Sequence, residues 1–168
     1  MIKRSKLHEL HLFAGGGEER EVKLCLSRGN DPNMADDDGW TPLHFACYRR
    51  EPDMCKLLIE KGASVEISSF SGDTSLHASA TEGSLPCLRI ILDAAEKSNA
   101  QIIDRQNNVG YNALMWTCAK GHIKAAKLLM ARGADVRQEN VEGDSALHIA
   151  AANNQLEVGT SDLASPFS

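Results

Sequence analysis

A short phrase returns four times along this chain, and that recurrence limits the fold more than any other feature. Glycines at Gly39, Gly72, Gly110 and Gly143 open the phrases GWTPLHFA, GDTSLHAS, GYNALMWT and GDSALHIA, at intervals of 33, 38 and 33 residues. A second phrase follows each of the first three: CKLLIEKGASV from Cys55, LRIILDAAEKSNAQII from Leu88 and AKLLMARGADV from Ala126. The leucine of the first phrase leads the second by 12 residues each time, from Leu43 to Cys55, Leu76 to Leu88 and Leu114 to Ala126. Run backward, the frame sets Leu10 twelve residues before Val22 and exposes a fifth, more divergent copy in HELHLFAGGGEEREVKLCLSRGNDPN. Self-similarity at such a period marks an array whose units bury their faces against one another.

Each copy reads as two short helices. Thr41 suits a helix N-cap, because its hydroxyl can accept from a freed backbone N–H. Pro42 then falls on the first helical position, where its missing N–H matters little. Leu43, Phe45 and Ala46 supply an apolar face, which predicts Phe45 and its counterpart Trp116 in the core, at the position of Ile149. A second helix is predicted over Asp53 to Lys61, with Met54, Cys55, Leu57, Leu58 and Ile59 inward. Gly62 ends it, as Gly29 and Gly133 do in other copies, since glycine tolerates the left-handed C-terminal conformation. Helices this short are marginal alone in water, so stacking must hold them. The 38-residue interval adds five residues, which predicts an extended outer helix or exit loop over Asp93–Gln101.

A 33-residue unit with TPLH near its start resembles the ankyrin repeat, best in Asp36 to Val65. The resemblance covers residues 6–158 and implies an all-α solenoid of helix-turn-helix units joined by β-hairpin loops. Units are expected at 6–35, 36–68, 69–106 and 107–139, with a partial one at 140–158 and an irregular tail at 159–168. The last copy opens well but lacks the apolar run of an outer helix. Leu128, Leu129 and Ile149 are therefore expected to be under-covered. Either the tail folds back through Leu163 and Phe167, or another segment or chain covers this end, or the chain is a shortened form of a longer array.

The composition, 42 % apolar with a net charge of −5 over 168 residues, is that of a folded chain rather than a disordered one. No apolar run reaches membrane-spanning length, and the acidic balance argues against nucleic-acid binding, which needs phosphate neutralisation. The start lacks an apolar secretory segment, and its Lys3, Arg4 and Lys6 read as part of a stack cap rather than a nuclear address. Five scattered cysteines, without C-x-x-C or zinc-ligand spacing, suit a reducing compartment and predict an intracellular, cytoplasmic protein.

No catalytic constellation appears, so no enzyme activity, cofactor or metal is expected. His11, His44, His77 and His148 share one repeat position, for which the resemblance implies a hairpin-holding role. Cys47 follows His44 by three residues, but the position reads Cys118, Ala80 and Ala151 elsewhere, which marks a small core site rather than a nucleophile. Asp36, Asp37 and Asp38 lack the rest of a calcium loop, and Gly15–Gly17 lacks a phosphate-loop ending.

The resemblance implies binding of a protein partner through the hairpin tips and the exposed face of the inner helices, as an adaptor or scaffold. In that frame the candidate contacts are Asp37, Asp38, Trp40, Tyr48, Arg49, Phe70, Asp73, Glu82, Tyr111, Lys120 and Asp144. Ser71, Thr81, Asn108, Val109, Ala119, Val141, Glu142, Ala152 and Asn153 occupy matching positions. Aromatic residues and arginine dominate interface hot spots. Five acids against two bases suggest a partner with a basic segment. The alternative is a structural or regulatory array segment of a larger protein, or one that self-associates through its incomplete last copy.

Overall fold

The computed structural model describes residues 2–153, with side chains described from Glu9 onward. The expectations for the outer part of the last copy, from residue 154 through the tail, lie outside the described residues. Four helix pairs and a final single helix follow in order: α1 (Ile2–Gly16) with α2 (Glu19–Ser27), α3 (Pro42–Tyr48) with α4 (Pro52–Glu60), α5 (Ser75–Glu82) with α6 (Leu85–Ser98), α7 (Ala113–Lys120) with α8 (Ile123–Ala131), and α9 (Ala146–Ala152). Helices α1, α3, α5, α7 and α9 stack in succession as an inner layer, and α4, α6 and α8 form an outer one. Strand pairing among the described residues is limited to two isolated bridges, Ser68 with Thr74 and Glu139 with Ser145. This is the all-α repeat solenoid that the period implies.

The core is a column of equivalent leucines. Leu10, Leu43, Leu76 and Leu114 are fully buried on the inner helices, and Leu58, Leu88, Ile91 and Leu129 on the outer ones. Five added residues lengthen α6 to 14, against nine in α4 and α8. Asn99 closes it at φ 61°, taking the left-handed conformation that a glycine supplies elsewhere.

Two expectations fail here. Leu128, Leu129 and Ile149 are buried, not under-covered. Among the described residues, α8 packs against α6 and α7, and α9 against α7. Phe45 and Trp116 are only half-buried, Phe45 packed on the rings of His11 and Trp40, and Trp116 on Tyr111 at the edge of the core.

Each hairpin is held by one side chain three residues before its glycine. Asp36 Oδ1 accepts from the N–H groups of Asp38 (3.0 Å) and Trp40 (2.7 Å). Asn107 does the same for Val109 and Tyr111, and Asn140 for Glu142 and Asp144. Ser69 Oγ, which is shorter, accepts from Asp73 N–H alone among these tip amides. Successive hairpins are joined edge to edge, Phe70 N–H to the Asp38 carbonyl and Asn108 N–H to that of Ser71.

Candidate partner-binding face

Histidines tie three inner helices, α1, α3 and α5, to the hairpin of the following unit. His44 Nε2 lies 3.0 Å from the backbone oxygen of Asp73, and a carbonyl can only accept, so Nε2 carries the proton. Nδ1 is then an acceptor, taking the Thr41 backbone N–H at 3.1 Å and facing its hydroxyl at 2.8 Å. His77 repeats the pattern, with Nε2 to the Tyr111 carbonyl at 3.0 Å and Nδ1 to Thr74 N–H at 3.0 Å. His11 Nε2 faces the carbonyls of Met34 and Trp40, both at 3.0 Å. Burial holds His44 down to about 4, although the Asp73 carbonyl favours its charged form, and it also lowers His77. His122, assigned no role in the sequence reading, points its Nε2 at the Thr81 carbonyl at 2.9 Å.

Cys47 Sγ faces Cys55 Sγ at 3.5 Å, all five cysteines are buried, and burial pushes the Cys118 thiol up to about 11. No group of His, Cys, Asp and Glu among the described residues is arranged to hold a metal ion.

With the hairpins held this way, Trp40 becomes the hub of a ring cluster. Its centroid lies 5.4 Å from Phe45, 5.6 Å from Tyr48 and 5.7 Å from His44, with the Phe45 and Tyr48 rings edge-on. His11 meets Phe45 from the preceding unit at 5.4 Å. Such edge-to-face pairs exploit the ring quadrupole. Tyr48 is exposed, Trp40 half-buried, and Asp37, Asp38 and Arg49 stand exposed nearby in the same unit. A second pair, Tyr111 with Trp116, packs at 4.9 Å. Trp116 Nε1 is buried without a hydrogen-bond partner.

The other nominated residues divide by what they touch. Phe70, Val109 and Val141 are exposed at successive hairpin tips. Lys120 is exposed at the end of α7, and Asp144 is half-buried beside its tip. Asp73 is tied internally, accepting from Ser71 Oγ at 2.7 Å and Asn107 Nδ2 at 2.8 Å. Glu82 pairs with Arg50 at 3.1 Å. Thr81 Oγ donates to the His77 carbonyl and Asn108 Nδ2 to that of Phe70. Asp73 thus serves the array's own joint, whereas Glu82 makes a partly exposed pair with Arg50.

Three residues escaped the sequence reading: Phe45 and Trp116, placed in the core, and Arg50. Arg50 adopts φ 64°, where the matching residues of other units are Gly17, Gly83 and Gly121. The signal was available, because one arginine among three glycines at a fixed repeat position breaks a backbone rule. The structure shows its setting, in the left-handed conformation between Arg49 and Glu51 and paired across to the next unit. A groove of about 420 Å³ between α4 and α6, lined by Ile59, Ile90, Ala94 and Lys97, shares no residue with this face.

A family model of ankyrin repeats in three copies matches residues 10–102 and 98–160. The chain belongs to the ankyrin-repeat family. It is 34 % identical over 150 residues to the B-cell lymphoma 3 protein homolog of Mus musculus, covering 89 % of this chain and 31 % of that one. It is 33 % identical over 131 residues to a nuclear factor NF-kappa-B subunit of Gallus gallus, covering 77 % of this chain and 13 % of the relative. It is also 34 % identical over 135 residues to the human SH3 and multiple ankyrin repeat domains protein 2, covering 80 % of this chain and 7 % of that protein. The chain thus spans under a third of each of these relatives. Ankyrin repeats are in general protein-interaction modules rather than catalysts. No helix among the described residues is long and apolar enough to cross a membrane.

Proposed function

We propose that this ankyrin array is a non-enzymatic adaptor that docks a protein partner on its concave face and hairpin tips. The observation that carries the reading is the cluster of Trp40, Phe45 and Tyr48, left partly open to solvent beside Asp37, Asp38 and Arg49. Rings held edge to face present rigid apolar area at little entropic cost, and an arginine beside them adds a directional donor. Phe70, Tyr111, Trp116, Lys120 and Asp144 extend the surface along the stack. The exposed acids favour a partner with a basic segment, which can also lay a cation over the Trp40 face. With all five thiols free, the protein works inside the cell, in the cytoplasm, without nucleic acid, membrane or cofactor.

Affinity capture from a cell lysate tests this. Tyr48→Ala and Phe70→Ala, both at exposed positions, are expected to lose the captured partner while keeping the thermal midpoint, and capture should weaken with salt. Capture that survives both substitutions contradicts the reading. The small share of each relative that the chain spans favours a second reading, an array that serves as a structural or regulatory segment of a larger protein.

A further inference from the structure

Helix α9 carries a face that every earlier inner helix hides. Leu147 stands where Leu43, Leu76 and Leu114 stand, yet those are 0 % exposed and Leu147 is 37 % exposed. His148 matches the buried His44 and His77 but is exposed, and its Nε2 meets no carbonyl among the described residues. Ala151 matches the buried Cys47, Ala80 and Cys118 and is exposed too. A Cβ placed on Gly39, Gly72 or Gly110 would strike the next hairpin's backbone nitrogen at 2.6 to 2.9 Å, whereas at Gly143 nothing lies within 4 Å.

The opposite end shows the other half of the same joint. Leu24, 41 % exposed, matches Leu57 and Leu128, which are 6 % and 9 % exposed. Leu12, 61 % exposed, matches Phe45. What covers such a residue is visible inside the chain, because Phe45 packs edge-on against His11 and lies over Gly15 of the preceding unit. In the repeat frame, His11 and Gly15 correspond to His148 and Ala152. Leu12 of one molecule therefore fits His148 and Ala152 of another as Phe45 fits His11 and Gly15.

We propose that the chain associates head to tail with a second copy of itself, Leu12 on α1 of one molecule packing on the exposed α9 face of the next, Leu147, His148, Ala151 and Ala152. The contact continues a joint that the array already makes between its own units. The α9 segment, ALHIAAA, carries no Asp, Glu, Lys or Arg, so two copies of an otherwise acidic chain meet there without like-charge repulsion. Its small residues permit close helix approach. A head-to-tail contact does not close on itself, so growth continues past the dimer.

Sedimentation velocity on the full chain across a hundredfold concentration range tests the proposal. The expected result is a weight-average mass that climbs with concentration past twice that of one chain. Leu12→Glu and Leu147→Glu, both at exposed positions, should each return the mass to a monomer while leaving circular dichroism unchanged. Mixing the two variants should restore association but stop it at a doubling, because each retains one intact end. A monomer at every concentration overturns the proposal. So does a Leu12→Glu variant that still self-associates, which would mean two α9 faces meeting each other. Neither result bears on the concave face, which the capture experiment tests separately.

Discussion

His44 Nε2 donates to the backbone carbonyl of Asp73, 29 residues further on, at 3.0 Å, and this bond ties α3 to the hairpin of the following unit. The same ring accepts from Thr41 at the start of its own helix. One buried imidazole therefore sets a local cap and a joint between neighbours.

His44→Ala should lower stability by roughly 2 to 4 kcal/mol, since it leaves Thr41 N–H without its acceptor and opens a cavity in a buried site. The Asp73 carbonyl keeps its Ser69 partner at 2.8 Å, which limits the loss. Chemical denaturation measures it. A change under about 1 kcal/mol, the size of one ordinary hydrogen bond, would mean that stacking alone holds the joint.

The same ring makes stability depend on pH. In the native state it titrates near 4, because burial opposes its charge; in the unfolded chain it takes the ordinary value of 6.5. Its protonation would also turn a donor toward Thr41 N–H. Between those values the unfolded chain binds a proton that the native state refuses. The contribution is therefore complete above about pH 6.5, is lost as the pH falls toward 4, and changes no further below that. His77 adds in the same direction. Denaturation midpoints at pH 7, 5.5 and 4.5 should fall in that order, and a flat profile would contradict the shift.

Much of this fold is legible in the sequence because its signals are local and repeated. Thr41-Pro42 marks a helix start, Gly62 a helix end, and the 38-residue interval an extended α6. Burial at Leu43 is legible for the same reason, since it recurs at each equivalent position. The candidate face is less so. Phe45 and Trp116 occupy a position whose inner half packs and whose outer half lines the concave side, and an apolar residue satisfies either demand. Asp73 and Glu82 look like free surface acids until Asn107 and Arg50, from neighbouring units, come within reach. The His44 bond likewise crosses between units, so no local pattern gives its direction.

Ser75 Oγ is buried without a hydrogen-bond partner at the first position of α5, where α3 has Pro42. An unsatisfied buried hydroxyl is a liability, so Ser75→Ala should stabilise the protein by about 1 kcal/mol. A thermal midpoint that falls instead would mean that the hydroxyl has a partner in solution.

The fourth unit lacks the histidine joint. Met115 stands at its position, and Asn112 caps α7 by accepting from Met115 N–H at 2.8 Å. The carbonyl of Asp144 matches those of Trp40, Asp73 and Tyr111, yet receives only Asn140 N–H among the described backbone donors. Asn112→Thr combined with Met115→His restores the pattern of the other units. It should slow amide exchange in α9 about fivefold, the effect of one added hydrogen bond of about 1 kcal/mol. Unchanged exchange in α9 would mean that the last unit opens independently of that joint.

Arg50 offers the sharpest separation of stability from binding. Its φ of 64° is uncommon for a residue with a side chain, and Gly17, Gly83 and Gly121 stand at the same place in other units. Its pair with Glu82 is largely exposed and contributes little. Strained backbone kept without a structural gain points to use at the surface. Arg50→Gly should therefore stabilise the array by about 1 kcal/mol, because glycine adopts that conformation without strain. It should also weaken partner capture, because it removes a cation between Arg49 and the next unit. A variant that is more stable and captures as well as the parent would remove Arg50 from the interface. A less stable one would mean that the ion pair outweighs the strain.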